Sequence, residues 1–275
     1  MSGFLDDMAA SSAERVRQAA LREPIGRLER RAQQTPPAPR LRLSPAGFDV
    51  IAELKLRSPA AGVLGDQADD SMRRVAAYAR GGAAAVSVLT EPTRFDGSLA
   101  HLRQAAAVLA PLGVPAMRKD FLVDPYQVLE ARAAGAGGVL VILRMLARER
   151  IEELLDAAAD HGLFVLLEAF DAADLELARD MLAVRRSAGQ TLLVGINSRD
   201  LKTLEVVQER FSKLASLLPQ GWPAVAESGV ATAADALDMR RLGYRLALIG
   251  TALMTHDDPA ALLSEIFAAT RTVRS

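Results

Sequence analysis

The chain has 275 residues, 50% of them hydrophobic and 24% charged, which suits one large globular domain or two small ones with a sizeable core. Its formal net charge of −1 supplies no global field toward nucleic acid or an anionic membrane. Cys is absent, which excludes disulfides, thiolate nucleophiles and Cys-ligated metals, and no apolar run approaches the roughly 18 residues that span a bilayer.

Residues 1–45 differ from the rest. The opening M-S-G-F-L-D-D-M is acidic and has no apolar signal core, so cytoplasmic location is the expectation. Helical periodicity covers 4–21 and 24–33, and P-P-A-P at 36–39 then breaks any helix. These residues read as a helical N-terminal extension with a weak apolar stripe of Phe4, Leu5, Met8 and Val16. A tail without packed structure is the alternative.

From 46 to 275, short runs rich in Val, Ile and Leu alternate with Ala-rich helical segments. The strand candidates are 48–54, 84–89, 114–117, 138–143, 163–168, 191–197, 224–227 and 246–250. Helix candidates lie near 70–80, 98–110, 125–134, 147–160, 171–183, 206–217, 232–242 and 258–270. About eight strand–helix units argue for a parallel sheet covered on both faces, and the length matches a (β/α)8 barrel. A doubly wound open sheet is the alternative, weakened by the lack of G-x-G-x-x-G after the first strand.

In such a barrel the site lies at the C-terminal strand ends. Those ends carry Glu53 and Lys55, then Thr90 and Glu91, then Arg118, Lys119 and Asp120. They continue with Arg144, Glu168, Asn197, Glu227 with Ser228, and Gly250 with Thr251. One such residue reads as a solvated loop start, but eight strand ends converging on one mouth read as a site. Glu53 and Lys55 share a face by parity, as do Lys119 and Phe121, with Arg118 and Asp120 on the other face. Parity does not say which pair points inward. A-E-S-G-V (226–230) and L-I-G-T-A (248–252) follow the seventh and eighth strands, where these barrels hold phosphate on backbone N–H groups.

Several motifs run in order across 51–254 and resemble the indole-3-glycerol phosphate synthase family. They are I-A-E-L-K-x-x-S-P (51–59), S-V-L-T-E (87–91), F-x-G-S-L (95–99) and M-R-K-D-F-L-V-D-P-Y-Q (117–127). E-A-R-A-A-G-A (130–136), G-I-N-S-R-D-L-K-T-L-E (195–205), A-E-S-G-V (226–230) and L-I-G-T-A-L-M (248–254) complete the set. The resemblance implies a TIM barrel enzyme, a carboxy-lyase of tryptophan biosynthesis, that closes an anthranilate-bearing deoxyribulose phosphate into an indole. It implies Lys119 as general acid, Glu168 as base and Lys55 as second acid and carboxylate partner. Glu53, Asn197 and Glu227 would orient them. Ser58, Gly229, Gly250 and Thr251 would hold the phosphate, with Arg199 and Ser228 further substrate contacts. Phe95, Phe121, Leu140 and Leu248 would line the ring pocket. The expectation is that Lys119, near other cations or in an apolar pocket, loses proton affinity and so becomes a usable acid near neutrality. The partner is an anionic phosphate small molecule, with no metal or organic cofactor, no nucleic acid and no membrane. A monomer is the default, with oligomeric state left open.

The chain departs from the usual family pattern in three places. Its first loop reads S-P-A-A-G instead of S-P-S-K-G. Ala169 and Phe170 replace Val-His, and Thr251 stands where Ser is common. None removes a catalytic group. Two alternatives are a Schiff-base aldolase using Lys119 or Lys55 and a non-catalytic barrel. The set Lys55, Lys119, Glu168 and Asn197 argues against the latter. His101, His161 and His256 read as structural or solvated, and Trp222 as core packing.

Overall fold

Eight short strands run in one direction and close on themselves. In the computed structural model, which describes residues 3–45, 47–58, 62–63, 68–185, 189–201 and 203–271, they are β1 Asp49–Leu54, β2 Ala85–Leu89, β3 Ala116–Lys119, β4 Gly138–Ile142, β5 Phe164–Ala169, β6 Leu192–Asn197, β7 Ala224–Glu227 and β8 Leu246–Ile249. Each pairs in parallel with its sequence neighbours, and β1 closes the ring with Ile51 opposite both Leu248 and Ala85. The closed ring excludes the open doubly wound sheet. Both faces of every strand are covered, which is why the runs are apolar throughout instead of alternating.

The helices are α1 Phe4–Arg22, α2 Ile25–Gln34, α3 Ala68–Arg80, α4 Pro92–Phe95, α5 Leu99–Leu109, α6 Pro125–Ala133, α7 Arg148–Asp160, α8 Ala172–Arg185, α9 Glu209–Ala215, α10 Ala233–Arg241, α11 Thr251–Thr255 and α12 Pro259–Arg271. The short α4 and α11 have no counterpart in the sequence-based assignment. Pro92 opens α4, and the Glu91 carboxylate caps it by accepting from the Thr93 and Arg94 N–H groups at 2.8 and 2.7 Å. β3 lies two residues later than the predicted 114–117. Pro115 has no N–H for a ladder, and the Val114 N–H returns to Leu109 O. α9 is shorter than 206–217 because Val206 bridges back to Arg199. A small antiparallel pair, Arg57–Ser58 with Gly62–Val63, follows β1.

Alternation along the strands divides the apolar residues into two cores. Ile51, Met117, Leu140, Leu166, Leu193, Val225 and Leu248 fill the barrel. Val50, Val86, Val139, Leu167, Val194 and Ala247 face the helices. Lys119 follows Met117 inward. Arg118 goes outward, 2% exposed, and donates to Gln127 O at 2.8 Å, Glu130 and Asp120 at 3.0 Å, and the Thr90 hydroxyl at 3.2 Å.

The N-terminal helices pack on this scaffold, so the unstructured-tail alternative does not hold. α2 sets Leu28 and Ala32 against Tyr126, Leu129 and Ala133 of α6. In α1, Arg15 binds the Asp120 carboxylate through two nitrogens at 2.8 and 3.0 Å, and the Ser12 hydroxyl donates to Phe121 O. Burial alone would raise the Asp120 carboxyl, yet Arg118 and Arg15 hold it well below the usual carboxylate range. This anchor carries the start of α1 over the barrel mouth, where Phe4 meets Phe121 edge to face at 5.8 Å. Among the described residues no helix is long and apolar enough to cross a membrane.

Candidate active site

A cavity of about 390 Å³ opens at the C-terminal ends of the strands. Strand parity delivers its charged floor. Glu53 is two residues beyond Ile51, Lys119 two beyond Met117, Glu168 two beyond Leu166, and Glu227 two beyond Val225. Each therefore continues an inward row past the last apolar layer.

Lys119 is the hub. Its Nζ lies 3.1 Å from Glu168 Oε2 and 3.3 Å from Glu227 Oε2. An ammonium has three N–H donors, so one remains for the cavity. Burial by itself would lower its proton affinity, but Glu168, Glu227 and Glu53 outweigh that and raise it. This corrects the expectation of a weakened lysine: the wall is apolar, but the nearest groups are carboxylates. Glu227 moves the other way from an ordinary carboxylate. Burial and the neighbouring Glu168 raise its pKa well above the usual value, and Lys119 only partly offsets them. Its Oε1 is buried with no hydrogen-bond partner among the described residues. A Cβ at Gly195 of β6 would lie 2.0 Å from that oxygen, so only glycine leaves room for it.

A second pair sits beside the first, with Lys55 Nζ 3.0 Å from Glu53 Oε1. A Cβ at Gly250 would lie 2.3 Å from the same Glu53 oxygen and 3.0 Å from Lys55 Nζ. Gly250 thus leaves space for the pair. Asn197 ends β6. Its Oδ1 accepts from the Arg199 N–H and the Ser228 hydroxyl, both at 2.9 Å. Those two donors identify the oxygen and leave the amide NH₂ for the cavity.

The cavity also brings together Phe95, Phe121, Leu140, Arg199, Ser228, Gly229, Leu248, Gly250 and Thr251. Of the predicted set, only Ser58 is not placed: its side chain and the loop at 59–61 lie outside the described residues. Besides Arg118, three strand-end residues do not enter. Thr90 donates to Asp120 at 2.7 Å, Glu91 caps α4, and Arg144 pairs with Asp171 and Asp174 and lies over Phe170. His101, His161 and His256 do not border the cavity, and Trp222 packs on the core between barrel and helices.

The sequence reading missed several walls. Phe4 and Leu5 of α1 line the cavity, as do Leu89, Ile142, Leu201, Leu204 and Val206. Parity already contained Leu89 and Ile142, two residues beyond Ser87 and Leu140. Phe4 and Leu5 were legible only as a stripe that docks the helix.

Charged pairs at the mouth of a closed β/α ring, beside glycine-bearing loops after β7 and β8, define a (β/α)8-barrel enzyme. The fold is shared with solved structures at low identity. 3-Hexulose-6-phosphate synthase from Salmonella typhimurium matches with a TM-score of 0.59 at 14% identity, over 80% of this chain and 97% of that one. Thiamine phosphate pyrophosphorylase from Pyrococcus furiosus matches at 0.54 and 15%, over 82% and 95%. Sequence narrows the class. The family model for indole-3-glycerol phosphate synthase matches residues 5–266. The synthase of Leifsonia xyli is 42% identical over 95% of this chain and 97% of its own length. That of Parafrankia sp. is 41% identical over 97% and 94%. The chain belongs to the indole-3-glycerol phosphate synthase family.

Proposed function

We propose that the chain converts carboxyphenylamino-deoxyribulose phosphate into indole-3-glycerol phosphate, CO₂ and water, in the cytoplasm, as a step of tryptophan biosynthesis. The observation that carries this is the Lys119–Glu168–Glu227 cluster at the floor of an otherwise apolar cavity, in a member of this family.

The aromatic ring fits the wall of Phe4, Phe95, Phe121, Leu140 and Leu248. The phosphate fits the backbone at Gly229, Gly250 and Thr251, with Ser228 beside it. Lys55 offers a cation to the ring carboxylate while Glu53 aims it. The carboxylate-bearing ring carbon attacks the ribulose carbonyl, whose oxygen takes a proton from Lys119. Loss of CO₂ returns its bonding pair to the ring. The new hydroxyl leaves as water with a second proton, given by Lys55, and Glu168 accepts the proton released from the adjacent carbon. Asn197 donates to the sugar oxygens. Starting from the carboxylate, one proton is consumed overall.

The carboxylates around Lys119 hold its proton. In the resting site Lys119 stays charged and polarises the carbonyl as a hydrogen-bond donor. The same charge works against imine formation, which needs a neutral amine. Mixing protein with carboxyphenylamino-deoxyribulose phosphate and following indole fluorescence tests the reading. No fluorescent product overturns it, and a borohydride-trapped adduct would point to an aldolase instead.

A further inference from the structure

We propose that Gln208 and Arg210, which do not border the cavity, are positioning residues. Together they form a brace at the start of α9 that sets Asn197 on one side and the Gly229 backbone on the other.

Nη1 of Arg210 donates to Asn197 O at 2.7 Å and to Arg199 O at 3.2 Å. Gln208 Nε2 donates to Gly229 O at 2.6 Å. The two residues lie two positions apart, Gln208 as the cap of α9 and Arg210 in its first turn, so one element holds the end of β6 and the loop after β7. Arg210 makes no ion pair among the described residues; its guanidinium is committed to main-chain carbonyls. Those carbonyls belong to the residue ending β6 and the one two positions on. Holding both fixes the backbone turn that aims the Asn197 amide and the Arg199 guanidinium.

The segment between them needs such support. Leu204 and Ser228 are non-glycine residues in the left-handed region, at φ 64° and 65°, a conformation that persists only where the surroundings dictate it. Ser228 is held by its hydroxyl on Asn197 Oδ1, and its carbonyl accepts from the Ser198 hydroxyl at 2.8 Å. The Leu204 carbonyl accepts from Arg199 Nη1 at 2.6 Å. Every one of these links begins or ends in the 197–199 stretch that Arg210 grips. On the other arm, a Cβ at Gly229 would lie 2.7 Å from Val206 and 2.8 Å from Gln208 Nε2, so Gln208 sits directly against the loop whose backbone meets the phosphate.

The inference rests on the function proposed above, in placing Asn197 at the reacting atoms and Gly229 at the phosphate. It gives the two arms different signatures. Arg210→Met in the full chain should lower kcat by roughly ten- to a hundredfold, the scale of a small misplacement of a working group, with a smaller change in KM. Arg210→Lys, which keeps one donor within reach of a carbonyl, should recover part of that loss. Gln208→Met should raise KM, and weaken inorganic phosphate measured by calorimetry, more than it lowers kcat. Melting temperature is read for all three. If Arg210→Met and Gln208→Met lower only the melting temperature, with kinetic constants and phosphate affinity of the folded protein at wild-type values, the brace is structural and the proposal fails. Failure of the functional reading shows separately, as no indole product from the wild-type chain. Phosphate affinity then still judges the brace, and an unchanged value in Gln208→Met overturns it.

Discussion

Replacing Lys119 with Met keeps most of the apolar stem and deletes the ammonium that joins Glu168 and Glu227. Two quantities follow. A positioned general acid contributes about 10²–10⁴ in rate, or about 3–5 kcal/mol of barrier, and turnover should fall by that much. Binding should change less, because the backbone at Gly229 and Gly250 is untouched. Folding stability should also fall. Removing one partner of a buried ion pair costs about 3–5 kcal/mol when the remaining charge has no relief. Relief exists here: Glu227 already holds its proton unusually tightly, and without Lys119 the two carboxylates can share one. The stability loss should therefore be below that range near neutral pH and shrink further as pH falls.

The assay is single-turnover indole formation by wild type, Lys119→Met, Glu168→Gln and the double variant, with urea unfolding of each. The 3.1 Å contact makes Lys119 and Glu168 one unit, so the double variant should be far less impaired than the product of the single effects. Retention of more than about a tenth of wild-type turnover in Lys119→Met, below what a general acid contributes, would refute the assignment and shift the acid role to Lys55.

Three further outcomes are expected. Burial and Glu168 raise the folded-state pKa of Glu227, so its contribution to stability is full below the unfolded value of about 4.3 and is lost as pH rises through the folded value. Glu227→Gln should therefore lose activity yet gain stability relative to wild type as pH rises from 5 to 8 in thermal melts; a gap running the other way would show that the ionised carboxylate is favourable. Gly250→Ala fits its backbone, at φ −111°, but places a Cβ against Glu53 and Lys55, so kcat/KM should fall about tenfold or more, and unchanged kinetics would show that the pair yields freely. Arg15→Met removes both contacts to Asp120 while Arg118 and Thr90 remain, so unfolding free energy should drop by about 1–3 kcal/mol and KM should rise as Phe4 leaves Phe121; equal KM in the variant would detach α1 from the site.

The fold was largely written in local pattern. Strand runs such as 138–143 and 224–227 were legible because both faces of a parallel sheet are buried, which leaves continuous Val, Ile and Leu between Gly- and Pro-marked turns. Helix ends such as Pro125 and Pro259 were legible for the same local reason. Most of the residues lining the cavity's charged floor were legible because they sit at strand ends in motif order. Three things were decided only by tertiary structure. Which face of β3 enters the barrel depends on closure of the ring: Lys119 and Arg118 have the same local signal, and only packing against α6 assigns Arg118 outward. The proton affinity of Lys119 depends on Glu168 and Glu227, 49 and 108 residues away in the chain; sequence named the apolar wall and the carboxylates at the other strand ends, but not how closely they approach the ammonium. The role of Phe4 and Leu5 depends on the Arg15–Asp120 anchor, a contact across 105 residues. Chain sequence encodes what a residue can do with its near neighbours, through periodicity, capping and turn preference. Field, desolvation and shape at a site are sums over groups that only the closed barrel brings within a few ångströms of one another.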